Sequence, residues 1–334
     1  MQYELKTQVI EPQRHTFTHV AKRFGDKPAS RYLEGTIDVQ PTEHFHYRPT
    51  WDPTKEIYDE AFSAFRLTDP YSYLDPRQYY YAPYVTARSG HHEAFGTSLE
   101  YIENRGLLER LPEDWSALLG ELVVPLRHVE SAGQLSLCGM ARFGYGATIT
   151  QAAAYSAFDR VGNAQMISRV GIALGGGTTE KLTAAKEHWL QDEALQGLRR
   201  LAEETIVEPD WGVALIGLDA LDQLVYDLLW SHLDDEAVTG GAPAYSLIAQ
   251  HMTNWYTDNR KWIDALYAAW RADPELGDHN AALLATHGVA AVDAALVAVT
   301  PFAQRIEELL GTGALDRLTA TAATSRATFA ADPS

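Results

Sequence analysis

The chain has a single cysteine, Cys138, in 334 residues. One thiol excludes an internal disulfide framework and any cysteine-rich zinc or iron–sulfur site, and it fits a reducing cytoplasm. Positive charge is scarce: 27 Lys and Arg stand against 45 Asp and Glu, a formal net charge of −18. That balance argues against nucleic acid as a general partner. The start, Met1-Gln-Tyr-Glu-Leu-Lys6, lacks the charged-then-apolar pattern of a secretory signal, so a cytoplasmic location is expected. The longest apolar stretch, Ala281 to Ala303, is rich in alanine and carries His287 and Asp293. It reads as a buried helix and not a membrane span, because an ionised Asp at mid-bilayer would cost several kcal/mol. Nucleotide-binding signals fail. Gly144-Tyr-Gly146 has Ile149 where a third glycine would stand, and Gly175-Gly-Gly177 has no following Gly-Lys-Ser/Thr; both read as turns. No Gly-x-Ser-x-Gly elbow supports acyl transfer. No hairpin signal, internal repeat or linker between two globular halves is present.

Helical period is what the chain does have. Leu118, Leu119, Leu122, Val123, Leu126, Val129, Ala132 and Leu135 recur at three- and four-residue steps. They predict a helix from about Pro112 to Cys138, with proline at its first position and Glu113 and Asp114 near the positive end of its dipole. Other helices are predicted from about Tyr79 to Gly106, Thr148 to Leu174, Thr178 or Thr179 to Trp189, Glu193 to Val207, Pro209 to Leu233, Tyr245 to Ala272 and Asn280 to Leu310, with a short one at the end. Ile248, Met252, Trp255, Trp262, Leu266 and Trp270 give one of them a wide apolar stripe. Aromatics at this spacing are core or subunit interface before they are a cofactor box. The chain is long enough for a large core, and the expected fold is all-α, with a helical domain over 86–330.

Residues 1–85 read differently. Pro12, Pro28, Pro41, Pro49, Pro53, Pro70, Pro76 and Pro83 keep breaking the backbone. The aromatic content, from Phe45 and Tyr47 through Trp51 to Tyr79, Tyr80 and Tyr81, is too high for a disordered segment. The expectation is a long, irregular but ordered N-terminal arm that wraps over a partner surface, interrupted by a short helix from about Thr54 to Leu67. Its basic start (Lys6, Arg14, Lys22, Arg23, Lys27 and Arg31) points to an acidic surface beneath it.

The histidines invite a metal search. His91-His92-Glu93 reads as surface or interface near a helix start, because adjacent histidines point apart on a helix. Glu43-His-Phe-His46 has glutamate and histidine three apart, but in the proline-broken arm. Two stretches on long helices are more informative. A di-iron bundle takes a carboxylate from each of two helices and a Glu-x-x-His from each of the other two. At Pro125-Leu-Arg-His128 the histidine is present and the acid is missing; at Asp258-Asn-Arg-Lys261 lysine replaces the histidine. An ammonium has no lone pair for a metal, so Lys261 is expected to pair with Asp258 or another carboxylate inside the bundle. Taken alone, either stretch also fits an ordinary buried helix.

Longer stretches carry a resemblance. Arg23-Phe-Gly-Asp-Lys-Pro-Ala-Ser-Arg-Tyr32, Phe45-His-Tyr-Arg-Pro-Thr-Trp-Asp-Pro53, Asp75-Pro-Arg-Gln-Tyr-Tyr-Tyr81, Val124-Pro-Leu-Arg-His-Val-Glu130, Asp159-Arg-Val-Gly162, Ser168-Arg169 and Gly197-Leu-Arg-Arg200 resemble the beta (small hydroxylase) subunit of bacterial multicomponent phenol hydroxylases, soluble di-iron monooxygenases. The similarity runs from about residue 10 to 310 and is weakest in the last third. It implies a ferritin-like helical bundle with no catalytic, cofactor-binding or metal residues of its own. It also implies a partner alpha subunit that holds the di-iron centre, a gamma subunit completing an (αβγ)2 hydroxylase, a small regulatory protein, and a reductase with FAD and a 2Fe-2S cluster. The complex would use O2 and NAD(P)H to turn phenol or methylphenols into catechols, with no nucleic acid and no membrane involved. A toluene, alkene or propane monooxygenase beta subunit is the alternative within the family. Outside it stand an independent helical metal-dependent oxidase and a helical interaction protein.

Overall fold

The computed structural model describes residues 16–25, 28–45, 48 and 52–331. Among them the chain forms helices and no strand. In order these are α1 (Thr18–Phe24), α2 (Arg31–Thr36), α3 (Tyr81–Asn104), α4 (Glu113–Ala117), α5 (Arg127–Phe143), α6 (Ala147–Leu174), α7 (Glu180–Gln191), α8 (Glu193–Val207), α9 (Trp211–Tyr226), α10 (Leu233–Thr239), α11 (Pro243–Arg271), α12 (Gly277–Leu310) and α13 (Ala314–Ala330). Helices α5, α6, α9 and α11 surround the centre. Helix α3 packs on α6 and α11, while α12 crosses α8 and α9 and carries α13 along its side.

The helix expected from Pro112 to Cys138 is present but not uniform. Pro112 sits just before its first turn, at the N-cap. After α4 the backbone widens into a π turn over Leu118–Val123, tightens into a 3-10 turn over Val124–Leu126, and only then runs regularly as α5. Pro125 explains both distortions. It has no N–H to give the Glu121 carbonyl, and its ring would clash there, so the ladder shifts on either side. The run also continues past Cys138 to Phe143, and the turn that follows is Gly144–Gly146. Gly146 has φ +106, and a Cβ there would lie 2.8 Å from the Pro70 ring. The helix after Pro209 likewise runs beyond Leu233, through a second π turn over Asp227–His232 into α10.

The expected helix from Thr54 to Leu67 does not form; only a 3-10 turn, Glu60–Phe62, stands there. Ser63, Phe65 and Leu67 are buried while Ala64, Arg66 and Thr68 are exposed, which is the two-residue alternation of an extended chain. With no neighbouring strand, the strap takes its hydrogen bonds from side chains of the bundle. Asp210 accepts from Ala64 N at 2.7 Å, Asp273 accepts from Thr68 N at 2.7 Å, and Asn280 Nδ2 donates to the Arg66 carbonyl at 2.8 Å. Phe65 stacks on Trp270, ring centroids 4.5 Å apart. Tertiary contacts therefore override local helix preference here.

Phe62, Phe65, Leu67 and Tyr73 of this stretch belong to the same core cluster as the helices. Helices α1 and α2, which the sequence pattern did not suggest, also pack on their own chain: Val20, Tyr32 and Ile37 are buried. Arg23 pairs with Asp38 at 2.9 Å and with Asp69, so the acidic surface under this part of the basic arm belongs to the same chain. Lys6, Arg14, Lys27, His46, Tyr47 and Trp51 lie outside the described residues.

Trp255, Trp262 and Trp270 are at most 1 % exposed and are core, as their spacing predicts. Trp262 Nε1 donates to Asn259 at 2.8 Å. Helix α12 is long and apolar enough to cross a membrane by length and composition. One of its faces, including Leu284, Val292, Val299, Phe302 and Ile306, is buried in the core.

Candidate functional site

The centre of the bundle is charged. Glu130 on α5, Arg160 and Asn163 on α6, and Asp222 and Tyr226 on α9 are each at most 4 % exposed. Arg160 Nη1 donates to both Glu130 oxygens, at 3.2 Å each, and Nη2 donates to Asp222 Oδ2. Tyr226 OH donates to Glu130 Oε1 at 2.7 Å, and Asn163 Nδ2 donates to Glu130 Oε2 at 3.2 Å. Helix α11 closes the fourth side with Trp255, whose ring lies 4.9 Å from the Arg160 guanidinium carbon. Gly133 makes the room: a Cβ there would stand 3.2 Å from Arg160 Nε.

Burial opposes the Arg160 charge, but Asp222 and Glu130 outweigh it and hold the guanidinium firmly protonated. Burial pushes the Asp222 carboxyl up to about 7, against the pull of Arg160. The Tyr226 hydroxyl is raised well above its ordinary range, first by burial and then by Glu130. The arrangement sets one cation between two buried carboxylates.

The residues do not fit a metal pair. Two helices each give one carboxylate, Glu130 and Asp222, as a di-iron bundle requires. The i, i+3 positions on α6, where glutamate and histidine would stand, hold Arg160 and Asn163. A guanidinium has donors only and would repel a cation. Among the described residues no group of three or more His, Cys, Asp or Glu could hold a metal ion.

The positions singled out in the sequence lie elsewhere. His128 sits in the first turn of α5, stacked on Trp189 of α7 with centroids 5.6 Å apart; the inward position is Glu130, two residues on. Burial, then Arg127 and Lys186, push His128 down to about 4. Lys261 does pair with Asp258, at 3.2 Å, but its side chain is 56 % exposed, so the expected ion pair inside the bundle is not there. Asp258 turns instead to Arg88 Nη2 at 2.8 Å and Tyr79 OH at 3.0 Å. Arg88 also holds Asp159 through two bonds of 2.7 Å, which ties α3 to α6 and α11. His91 and His92 lie within α3, half-buried rather than at its start. His91 faces His251, centroids 5.9 Å apart, and burial with the nearby Arg88 pushes it down to about 4. Glu43 and His44 are exposed, and His46 lies outside the described residues. Gly144–Gly146 and Gly175–Gly177 are turns.

The sequence and the fold are both similar to those of known hydroxylase components. Residues 51–274 fit the Methane/Phenol/Alkene Hydroxylase family. The chain is 40 % identical over 268 residues to the phenol 2-monooxygenase oxygenase component DmpL of Pseudomonas sp. (strain CF600), covering 80 % of this chain and 81 % of that one. It is 26 % identical over 301 residues to the methane monooxygenase component A beta chain of Methylosinus trichosporium, covering 82 % and 73 %. The xenon-pressurised crystal structure of phenol hydroxylase from Pseudomonas sp. OX1 superposes with a TM-score of 0.86 at 34 % identity, over 98 % of each chain. The helical architecture is that of a hydroxylase bundle. The chain belongs to the Methane/Phenol/Alkene Hydroxylase family, as an oxygenase component of a monooxygenase complex.

Proposed function

We propose that the chain is the non-catalytic, structural beta subunit of a hydroxylase that converts phenol or methylphenols to catechols with O2 and NAD(P)H. The observation that carries this reading is Arg160, a permanent cation held between Glu130 and Asp222 where a bundle of this kind would place metal ligands. The phenol 2-monooxygenase component supports the substrate class, and the methane monooxygenase beta chain supports the subunit type. The di-iron centre then belongs to an alpha subunit, with gamma completing an (αβγ)2 assembly, and FAD and 2Fe-2S belong to the reductase. Large apolar side chains left in solvent, Tyr81 at 75 % and Phe158 at 58 %, suit a subunit that is covered in its complex.

In this role the chain's own residues do no bond-making. The Arg160 centre fixes α5, α6 and α9 against one another, and the Arg88 bridge fixes α3. The test is metal counted per chain. Iron-loaded hydroxylase should hold all its iron in alpha, and the beta chain separated from it should hold none. Two antiferromagnetically coupled irons in the separated beta chain, seen by Mössbauer spectroscopy, would end the reading.

A further inference from the structure

We infer that the pocket between α5, α8 and α9 binds a molecule with a single phenolic ring. The inference rests on the substrate class proposed above and places a second site for it on this chain. The pocket, about 390 Å3, has the size of a small-molecule site. Met140, Phe143 and Trp211, each at most 8 % exposed, wall it with apolar and aromatic surface. Leu135 and Val207 also line it and are exposed, so a ring enters over apolar side chains. Gly139 keeps the pocket open. It lies inside α5, where glycine weakens the helix relative to alanine. No close packing asks for it: a Cβ there would meet nothing within 4 Å, whereas one at Gly133 would crowd Arg160. Gly139 lines the pocket, so the space a side chain would take there is the ligand's. Two groups can fix a hydroxyl. Ser131 and Ser168 donate to the carbonyl one helical turn back. Ser136, buried in the pocket wall, makes no such bond, which leaves its hydroxyl for a ligand. Glu208 Oε1 accepts from Asp210 N at 3.0 Å, which leaves Oε2 free to accept a phenolic proton. A carboxylate beside aromatic walls favours a phenol over a plain hydrocarbon ring and repels a ring that carries a carboxylate. Phenol and catechol, substrate and product of the proposed reaction, share this chemistry.

The experiment follows the fluorine resonance of para-fluorophenol titrated with the full chain, then of para-fluorotoluene and para-fluorobenzoate. Fluorophenol should saturate at one molecule per chain. Fluorotoluene should bind about tenfold more weakly or worse, the scale of one hydrogen bond to a charged acceptor, and fluorobenzoate should not compete. Displacement by unlabelled phenol and by catechol distinguishes substrate from product as the better occupant; displacement by neither overturns the inference. Gly139→Leu should weaken fluorophenol binding about tenfold or more without lowering Tm, because leucine is the better helix former. Glu208→Gln keeps an acceptor for Asp210 N and should narrow the gap between fluorophenol and fluorotoluene. Unchanged binding in Gly139→Leu, or equal affinity for the phenol and the hydrocarbon, overturns the inference. If Gly139→Leu does not fold, Glu208→Gln decides, and an unchanged gap overturns it. In the assembled hydroxylase Gly139→Leu should remove one bound fluorophenol per copy of this chain; an unchanged count, as when a partner's side chain fills the pocket, overturns it as well. Phenol hydroxylation by the same complex is measured separately. Its absence strikes at the proposed function, whereas intact hydroxylation with no binding to this chain strikes at the pocket alone.

Discussion

Phe65→Ala separates an arm that serves a partner from a strap that belongs to this chain's own core. Phe65 is 1 % exposed and stacks on Trp270, itself fully buried, with the His287 ring 6.1 Å away. Truncating a buried phenylalanine removes its transfer free energy and leaves a cavity, about 3–5 kcal/mol together. The upper part of that range is expected, because the strap cannot collapse into the gap. Asp210, Asn280 and Asp273 hold its backbone on both sides of the ring. The assay is urea unfolding of the isolated full chain, followed by tryptophan fluorescence, since Trp270 and Trp211 lie at the lesion. The midpoint should fall with the m-value unchanged, because the same surface is still buried in one transition. A loss below about 1 kcal/mol, comparable to a typical surface substitution, would refute the placement of this strap in the core. So would a loss that appears only when the variant is assembled with its partner.

Three further outcomes follow from the same geometry. Trp262→Ala should cost about 3–5 kcal/mol in the same unfolding assay, as the ring is fully buried, and should displace no chromophore. Lys261→Met should change stability by less than about 1 kcal/mol, the scale of an exposed pair, whereas Arg88→Met should cost about 3–5 kcal/mol by leaving the buried Asp159 without its cation; equal effects would contradict the placement of the two charges. Asp222 should show a protonated-carboxyl infrared band that disappears as pH rises through about 7 and is absent in Asp222→Asn. Its folded pKa is raised above the unfolded value near 4, so the folded state binds the extra proton between those limits. The contribution of Asp222 to stability is then greatest at low pH and falls as pH rises through about 7, the opposite of a salt-bridged surface carboxylate.

Much of this architecture could be read from the chain because long helices announce themselves by period and by caps. Glu193–Val207 is where the pattern put it, and Asp192 caps it by accepting from Ala194 N at 3.0 Å. The breakdowns have specific causes. Ser63–Thr68 alternates over only a few residues, and the side chains that receive its N–H groups lie far along the chain, beyond any local window. Pro125 was legible as a disturbance, but the choice between a kink and a paired π and 3-10 turn depends on what packs around it.

The centre itself left a weak but readable trace. Asp219 and Asp222 stand in the apolar run Trp211–Tyr226, where ionised side chains would be costly without partners. Arg160 and Asn163 stand one turn apart in α6, whose other buried positions apart from Asp159 are small or apolar. His128 carries the more conspicuous signal, because a histidine near a glutamate is a metal-ligand pattern. The charged centre has another signature: an arginine on one helix and acids on two others, with no histidine. Those three residues can be recognised as one site only after the helices are packed, since nothing in their sequence spacing, 30 residues from Glu130 to Arg160 and 62 from Arg160 to Asp222, says that they meet. The inward face of each helix is legible from period. Which inward charges share a centre is a property of the bundle.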